Sequence, residues 1–519
     1  MTVDASVRAA APAESGHLLV ASLLHGDRRR LVTVLKSLPP AVDVAEVRLD
    51  GIWSVTPEPD AATEDLFALR EATDRRLIAT LRPLREGGLF EGPEEARLGL
   101  LIAASQTGFD LVDLELPEGA AGPFLHAFRE QVPDFLLSRH LPEAPHCRDD
   151  SLLPLAAMAD GHGLYDKLAF PAGAFLDDLR AIEAVRLHAA RNGKPSISTL
   201  GSTWSAELRA VLAVAGNHAT YGHAPGLEPA VPGQPPAVAI QALWDHWGIA
   251  RADLAGPGRP LRPWMAVLGN PVDKSLSPRM HNATLRSTGR AERYVSCHVP
   301  SSPAALRLVV SVAPRIGLVG ASVTAPHKTD AARMATCDAT ATAVGAANQL
   351  KFHADGKVDA TNTDATALRD LLRPHVRPGT SAIVLGAGGA ARAALWALKE
   401  LGTTATYTSR DPKRAAEAKH LGTWVPWEQR STLRADVWVQ ATTLGLQAND
   451  PSPGTPHGVR LAFELNYKGG PTAFAAEARS LGATLLDGRA LVLEQAVHAQ
   501  RFWFGAEPDR RAMEAALGR

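Results

Sequence analysis

The sequence predicts an α/β molecule in two halves: a (β/α)8 TIM-type barrel, then a smaller α/β domain followed by a doubly wound Rossmann sheet. Three observations carry that prediction. Eight short apolar runs alternate with helix-spaced segments through the first half, a proline-rich stretch interrupts them, and a strand, a glycine-rich turn and a helix follow one another at 381–401. With 519 residues the chain exceeds a single core, because such cores stop growing near ~250 to 300 residues.

The eight runs are 17–24, 44–50, 77–83, 111–116, 135–140, 164–170, 196–201 and 218–223. Helical periodicity fills 27–37, 93–107, 174–192 and 206–214 between them. A barrel of this kind places its active site at the carboxyl ends of the strands. There the polar residues fall: Glu46, Arg48 and Asp50 in run two, Arg82 in run three, Asp113 and Glu115 in run four, His140 in run five and Lys167 in run six. One such residue is ordinarily a solvated side chain, whereas eight on one rim point to a site. Lys167, flanked by Leu164, Tyr165, Leu168 and Phe170, is expected to be partly desolvated, and desolvation favours the neutral, nucleophilic amine. Such an amine attacks a ketone to form a Schiff base, and His140 moves the proton of the adjacent carbon.

E-x-R-x-D at Glu46–Asp50, T-x-R-x-x-R-E-G-G at Thr80–Gly88, S-x-H at Ser138–His140, D-K-L-A at Asp166–Ala169 and P-G-Q at Pro232–Gln234 resemble type I 3-dehydroquinate dehydratase over about residues 17–250. The resemblance implies Lys167 as the Schiff-base lysine and His140, paired with Glu86, as the general acid and base. It implies Glu46, Arg48, Arg82, Arg209 and Gln234 as the groups holding the substrate's hydroxyls and carboxylate. The chain departs at Ala230, usually serine, and at Leu141, usually aspartate. A lost neutral hydrogen bond is worth ~0.5 to 1.5 kcal/mol, so Ala230 is expected to weaken binding about tenfold at most.

Prolines crowd 225–236 and 257–263, separated by an apolar helix-like segment at 237–249. Proline at this density stops helix propagation. The helix is expected to close the barrel (17–254) and 255–263 to be the connector, with residues 1–16 disordered.

In the second half, the run 381–385 leads into G-A-G-G-A-A-R at Gly386–Arg392 and an alanine-rich helix. That context lets backbone amides and a helix N-terminus hold a pyrophosphate. The following strand ends at Ser409 and Arg410, where arginine favours the 2′-phosphate of NADP and Asp411 offsets part of that preference. Upstream, Ser275 and Ser277 lie in N-P-V-D-K-S-L-S-P, and S-V-T-A-P-H-K ends at Lys328. G-A-A-N ends at Asn348 and N-T-D at Asp364. A lysine and an aspartate beside a carbonyl can deliver the proton that accompanies hydride transfer.

These motifs resemble shikimate dehydrogenase over about residues 264–510. By that resemblance Lys328 and Asp364 form the catalytic pair, and Ser275, Ser277, Thr324, Asn348, Tyr467 and Gln495 surround shikimate. Gly386, Ala387, Gly388, Gly389, Ala390, Ser409, Arg410, Thr442 and Gly488 would bind NADP(H). The implied domains are 264–372 for substrate, with the C-terminal helix 490–519 returning to it, and 373–489 for the cofactor. Ser322, Ala360, Ser409 and the E-L-N-Y of Glu464–Tyr467 depart from the usual wording.

Composition narrows the remaining classes. The 54 basic and 55 acidic side chains cancel, so neither nucleic acid nor a membrane is an expected partner. Cys147, Cys297 and Cys337 are too scattered for a disulfide framework or a zinc site, and no metal is expected. A reducing cytoplasm fits that usage. The whole reads as a bifunctional shikimate-pathway enzyme acting on 3-dehydroquinate, 3-dehydroshikimate and shikimate. Its rivals are an NAD-dependent quinate or shikimate dehydrogenase of catabolism and a metabolite-sensing regulator without chemistry.

Overall fold

The computed structural model describes residues 16–115, 128–132, 134–141, 165–190, 194–202, 204–254, 261–445, 450–454, 457–467 and 472–518. Residues 1–15 and 255–260, covering nearly all of the expected disordered terminus and most of the expected connector, lie outside them. The chain divides into two compact units, Met1–Trp264 with Arg315–Gly317 and Met265–Pro314 with Leu318–Arg519.

In the first unit eight strands form one sheet: β1 (Leu18–Leu23), β2 (Val44–Arg48), β3 (Arg76–Thr80), β4 (Leu111–Glu115), β5 (Phe135–His140), β6 (Asp166–Pro171), β7 (Pro195–Leu200) and β8 (Ala219–His223). β1 pairs with both β2 and β8, and every neighbouring pair is parallel. The expected closed barrel is nearly closed, because among the described residues no ladder joins β7 to β8. Side chains close that seam. The Asn217 amide accepts from Ile197 N–H and donates to Ile197 C=O, both at 2.9 Å, and Ser196 donates to Ala219 C=O at 2.9 Å. Asn217 thus supplies a pair of ladder-like bonds beside the backbone bond from His218 N–H to Pro195 C=O at 2.6 Å.

The strand period of two sets the barrel's interior. Val20, Val44, Ile78, Leu111, Leu136, Tyr165 and Ala219 form one buried cluster. Two residues further along each strand lie Ser22, Glu46, Thr80, Asp113, Ser138, Lys167 and Tyr221, all buried. Two further still come Arg48, Arg82, Glu115 and His140. An apolar floor therefore supports a polar layer and a charged rim, all on the inward face of each strand. The helix Ala237–Trp247 ends at Gly248, whose φ of 67° is the left-handed C-cap that glycine tolerates.

The second unit holds two six-stranded sheets. The first orders Arg293–His298, Trp264–Gly269, Leu318–Val323, Gln349–Phe352, Val358–Thr361 and Thr336–Cys337, with antiparallel pairs at Gln349–Phe352. The second is parallel throughout, ordered Thr423–Pro426, Ala405–Ser409, Ala382–Leu385, Val437–Gln440, Leu461–Glu464 and Thr484–Asp487. The alanine-rich helix Gly389–Glu400 covers it, and its small side chains let Ala391, Ala393, Ala394 and Ala397 pack without exposure. The final long helix, Gly488–Phe504, returns to the first sheet, where Trp503 Nε1 donates to Leu350 C=O at 2.9 Å. Among the described residues no helix is long and apolar enough to cross a membrane.

Candidate active sites

A cavity of about 830 Å³ opens at the carboxyl end of the barrel strands. It brings together Lys167, His140, Glu86, Arg48, Arg82, Arg209 and Gln234, and Glu46, buried behind the lining, accepts from Lys167. The two departures, Ala230 and Leu141, line it as well.

Lys167 is buried, as expected, but its partners are charged. Its Nζ donates to Glu46 Oε1 at 2.5 Å and to Asp113 Oδ2 at 2.8 Å, and it lies 4.4 Å from the Tyr221 ring centroid. Strand alternation is the reason: Leu168 and Phe170 face away from the interior, while Lys167 shares its face with Tyr165 and Ala169. Burial alone would raise the carboxyl pKa of both partners, yet the Lys167 and Arg82 charges overrule it and hold Asp113 and Glu46 below the usual carboxylate range. Arg82 is clamped in turn, 3.2 Å from Asp113 and 3.6 Å from Glu115, and Arg97 holds Glu115 at 2.7 Å.

His140 ends β5. Burial, reinforced by the charges of Arg82 and Lys167, pushes its pKa well below that of a free imidazole. The imidazole is therefore neutral near pH 7 and open to a proton. Glu86 Oε2 accepts from His140 N–H at 3.1 Å and lies 3.5 Å from Nδ1, and Arg82 Nη1 also touches the ring. Glu86 ends a short 3-10 turn closed by Gly87 at φ 74°, which swings its carboxylate over the rim. Arg48 forms a bidentate pair with Asp50 at 2.9 and 2.7 Å. Gln234 donates to Ser22, which donates to Glu46 at 2.5 Å. Arg209 reaches in from the helix Ser205–Ala215, held by Ser198, Thr199 and Tyr221.

Ser22 and Tyr221 line this cavity although no motif singled them out, and Asp113, named above only as a rim residue, is a direct partner of Lys167. The signal was available for Asp113, since its place in run four has the same inward parity as Lys167 in run six. Tyr221 carried no such signal, because an aromatic residue in a strand reads as core.

In the second unit a cavity of about 170 Å³ is lined by Ser275, Ser277, Thr324, Lys328, Asn348, Asp364, Tyr467 and Gln495. Ser322, Gln349 and Val492 join them without having been expected there. Lys328 Nζ donates to Asp364 Oδ2 at 2.6 Å. Asp364 lies in the first turn of the helix Thr363–Leu372, whose N-cap Asn362 accepts from Ala365 N–H at 3.0 Å. Thr363 N–H donates to Asn348 at 2.7 Å, and Gln349 donates to Thr363 and to Gln495, both at 3.0 Å. This amide network ties the sheet to the final helix. Tyr467 is pushed up to about 12 by burial and by the nearby Asp364 charge, so it meets a ligand as a neutral phenol.

The glycine-rich turn stands beside this cavity, and Ala390 lines both. Gly386 has φ 119°, and a β-carbon there would meet Ala441 C=O at 3.0 Å. A β-carbon on Gly389 would meet Lys328 Cδ at 3.2 Å, whereas the space beyond Gly388 is open. Gly388 caps the helix without a side-chain bond, so its first amides face outward. This cradle suits a dinucleotide's pyrophosphate. Thr442 abuts Gly386, its hydroxyl and amide both donating to Gln440. Ser409 and Arg410 end the adjacent strand, as expected. Gly488, expected with the cofactor residues, lines the cavity together with Ala390 of the glycine-rich turn. It opens the final helix so close to Leu465 C=O, 2.4 Å from where a β-carbon would stand, that only glycine fits. Asp411 accepts from the amides of Lys413 and Arg414 and thereby caps its helix.

Among the described residues one grouping has metal-ligand types in reach of one another, Asp370, Glu494 and His498. Arg369 and Arg373 engage Asp370 and Arg510 engages Glu494, so it reads as a salt-bridge network.

Residues 19–249 match the family model for type I 3-dehydroquinase, and residues 267–350 match that for the shikimate dehydrogenase substrate binding domain. A shikimate dehydrogenase (NADP(+)) of Anaeromyxobacter dehalogenans (strain 2CP-1 / ATCC BAA-258) is 37% identical over 264 residues, covering 48% of this chain and 94% of the relative. Another, from Acidiphilium cryptum (strain JF-5), is 36% identical over 256 residues, covering 47% and 90%. Among solved structures, the dehydroquinate dehydratase and shikimate dehydrogenase from S. pombe AroM aligns with 97% of this chain and 98% of its own, at 19% identity and a TM-score of 0.39. The chain belongs to the shikimate dehydrogenase family through its second half, and its first half is a type I 3-dehydroquinase domain.

Proposed function

We propose that the first unit converts 3-dehydroquinate to 3-dehydroshikimate by loss of water and that the second reduces that ketone to shikimate with NADPH. The observation that carries the reading is the pairing of each lysine with the groups its chemistry needs, within one cavity each.

In the barrel, Lys167 attacks the substrate ketone, and the ketone oxygen leaves as water as the iminium forms. The iminium acidifies the neighbouring C–H. Neutral His140 removes that proton and returns one to the departing hydroxyl, an effect worth roughly 10² to 10⁴ in rate, and water then hydrolyses the iminium, restoring the ketone and releasing Lys167. Glu86 fixes the imidazole. Glu46 and Asp113 balance the positive charge of the iminium. Arg48, Arg82, Arg209 and Gln234 take the carboxylate and hydroxyls.

In the second unit, Ser275, Ser277, Thr324, Asn348, Tyr467 and Gln495 orient the ring, and Lys328 passes a proton from Nζ to the carbonyl oxygen as it becomes a hydroxyl. Asp364 holds Nζ in place. Gly386, Ala387, Gly388, Gly389, Ala390, Thr442, Ser409, Arg410 and Gly488 would hold the dinucleotide, which when bound supplies the hydride. The relatives' NADP(+) and the exposed Arg410, which stands beside a capped Asp411 and has no carboxylate partner among the described residues, favour the phosphorylated cofactor over NAD. No step is routed through a metal, so dialysis against a chelator should leave both activities standing. The domain limits 17–254, 264–372 with 490–519, and 373–489 and a cytoplasmic place fit this reading.

The test is incubation of the full chain with 3-dehydroquinate, with and without NADPH, and identification of products by mass. Shikimate with the cofactor and 3-dehydroshikimate without it are expected. Unchanged 3-dehydroquinate in both would overturn the barrel assignment, and unreduced 3-dehydroshikimate with NADPH would overturn the second.

A further inference from the structure

The cofactor end of the parallel sheet carries an aromatic residue that neither site has used. Strand Ala405–Ser409 pairs in parallel with Thr423–Pro426, and Ser409 stands opposite Pro426. The next residue on each strand is therefore Arg410 and Trp427, side by side at the carboxyl end, where an open α/β sheet binds its ligand. Arg410 Cζ lies 5.8 Å from the centroid of the Trp427 ring, within reach of a cation–π contact.

Trp427 is itself held. Arg430 Cζ lies 4.5 Å from the same ring, and its guanidinium donates to Trp427 C=O at 2.9 Å and to Pro453 C=O at 2.8 Å. Arg410, by contrast, is exposed and has no carboxylate partner among the described residues. An exposed arginine without a partner samples many rotamers, and any anion that binds it must order it. A fixed indole beside it removes part of that cost and leaves the N–H donors free, because the ring engages the guanidinium's face. Asp411, the adjacent carboxylate, is committed to the amides of its own helix and leaves Arg410 to the ring.

We propose that Trp427 is a positioning residue: it holds Arg410 where the adenosine 2′-phosphate of the dinucleotide binds and so raises this chain's preference for the phosphorylated cofactor. The inference rests on the NADP reading above and deepens it to one residue outside the motifs that suggested it.

The experiment is steady-state reduction of 3-dehydroshikimate by the full chain with NADPH and with NADH, for the unsubstituted protein, Trp427→Ala, Trp427→Phe, Arg410→Ala and the Arg410→Ala/Trp427→Ala pair. Trp427→Ala should raise KM for NADPH about fivefold and KM for NADH less than twofold. Trp427→Phe, which keeps a ring face, should recover most of the loss. In the Arg410→Ala background Trp427→Ala should change the NADPH to NADH ratio no further, since its effect passes through the arginine. Equal rises in both KM values, no rise in either, or a full additional effect in the Arg410→Ala background would each overturn the inference. A failure of the NADP reading looks different: the unsubstituted chain would then show no preference for NADPH, or Arg410→Ala would leave that preference intact.

Discussion

The two lysines at the centres of the two sites are built in opposite ways. Lys167 sits on a barrel strand with 9% of its side chain exposed, between carboxylates at 2.5 and 2.8 Å. Lys328 opens a short helix, keeps 20% of its side chain exposed and has one carboxylate, at 2.6 Å. Around Lys167 stand arginines and acids in a charged lattice, whereas around Lys328 stand hydroxyls and amides. The contrast teaches what each chemistry requires. A lysine that becomes covalently bound needs its cationic state balanced throughout, and only buried counter-charges do that at low dielectric. A lysine that passes a proton needs fixed geometry and an open path to the oxygen, which one aspartate and neutral donors supply.

Lys167→Ala should break the comparison most completely. It should lower dehydration by more than ~10³-fold while leaving reduction of supplied 3-dehydroshikimate within about twofold. Borohydride added with 3-dehydroquinate should label the unsubstituted chain covalently and leave the variant unlabelled, as read by intact mass. Next in size, Lys328→Ala should slow reduction by roughly 10² to 10³-fold and spare dehydration. Equal loss of both activities in either variant would mean general misfolding rather than separate sites.

A pH profile sharpens the contrast further. Because burial and neighbouring cations depress His140, the imidazole stays neutral at lower pH than a free histidine near ~6.5. Dehydration measured as kcat/KM should therefore stay level as pH falls through ~6.5 and decline only below it. A decline centred at 6.5 or above would contradict that placement.

The smallest expected effect is on stability. Burial pushes Glu464 up to about 7, although Thr472 and Asn466 donate to it. Folding therefore favours its protonated form. Its contribution is fully present below the unfolded value near 4.5 and is lost as pH rises through about 7. Glu464→Gln should remove that loss, making the second unit more stable than the unsubstituted protein at pH 8 by up to ~2 to 3 kcal/mol, with little difference at pH 5. Urea titrations at both pH values read it directly.

Much of each site was legible because the chemistry lies at strand ends or in short motifs. His140 and Lys167 stood out as reactive types in apolar runs, and the turn at Gly386 announced itself by glycines between a strand and a helix. Less legible were the partners that come from distant strands. Asp113 meets Lys167 from 54 positions away, and Tyr221 closes the floor from 54 positions in the other direction.

The sequence by itself determined the order of strands and helices, the alternation that turns one face of each barrel strand inward, and the identity of both reactive lysines, because these are local properties of periodicity and residue type. Only the tertiary structure decided that Lys167 lies between two acids rather than in an apolar wall, that Asn217 completes the seam between β7 and β8, and that Arg410 meets Trp427. Each of those depends on the register and twist of strands far apart in the chain, which fix side-chain distances that no local pattern encodes.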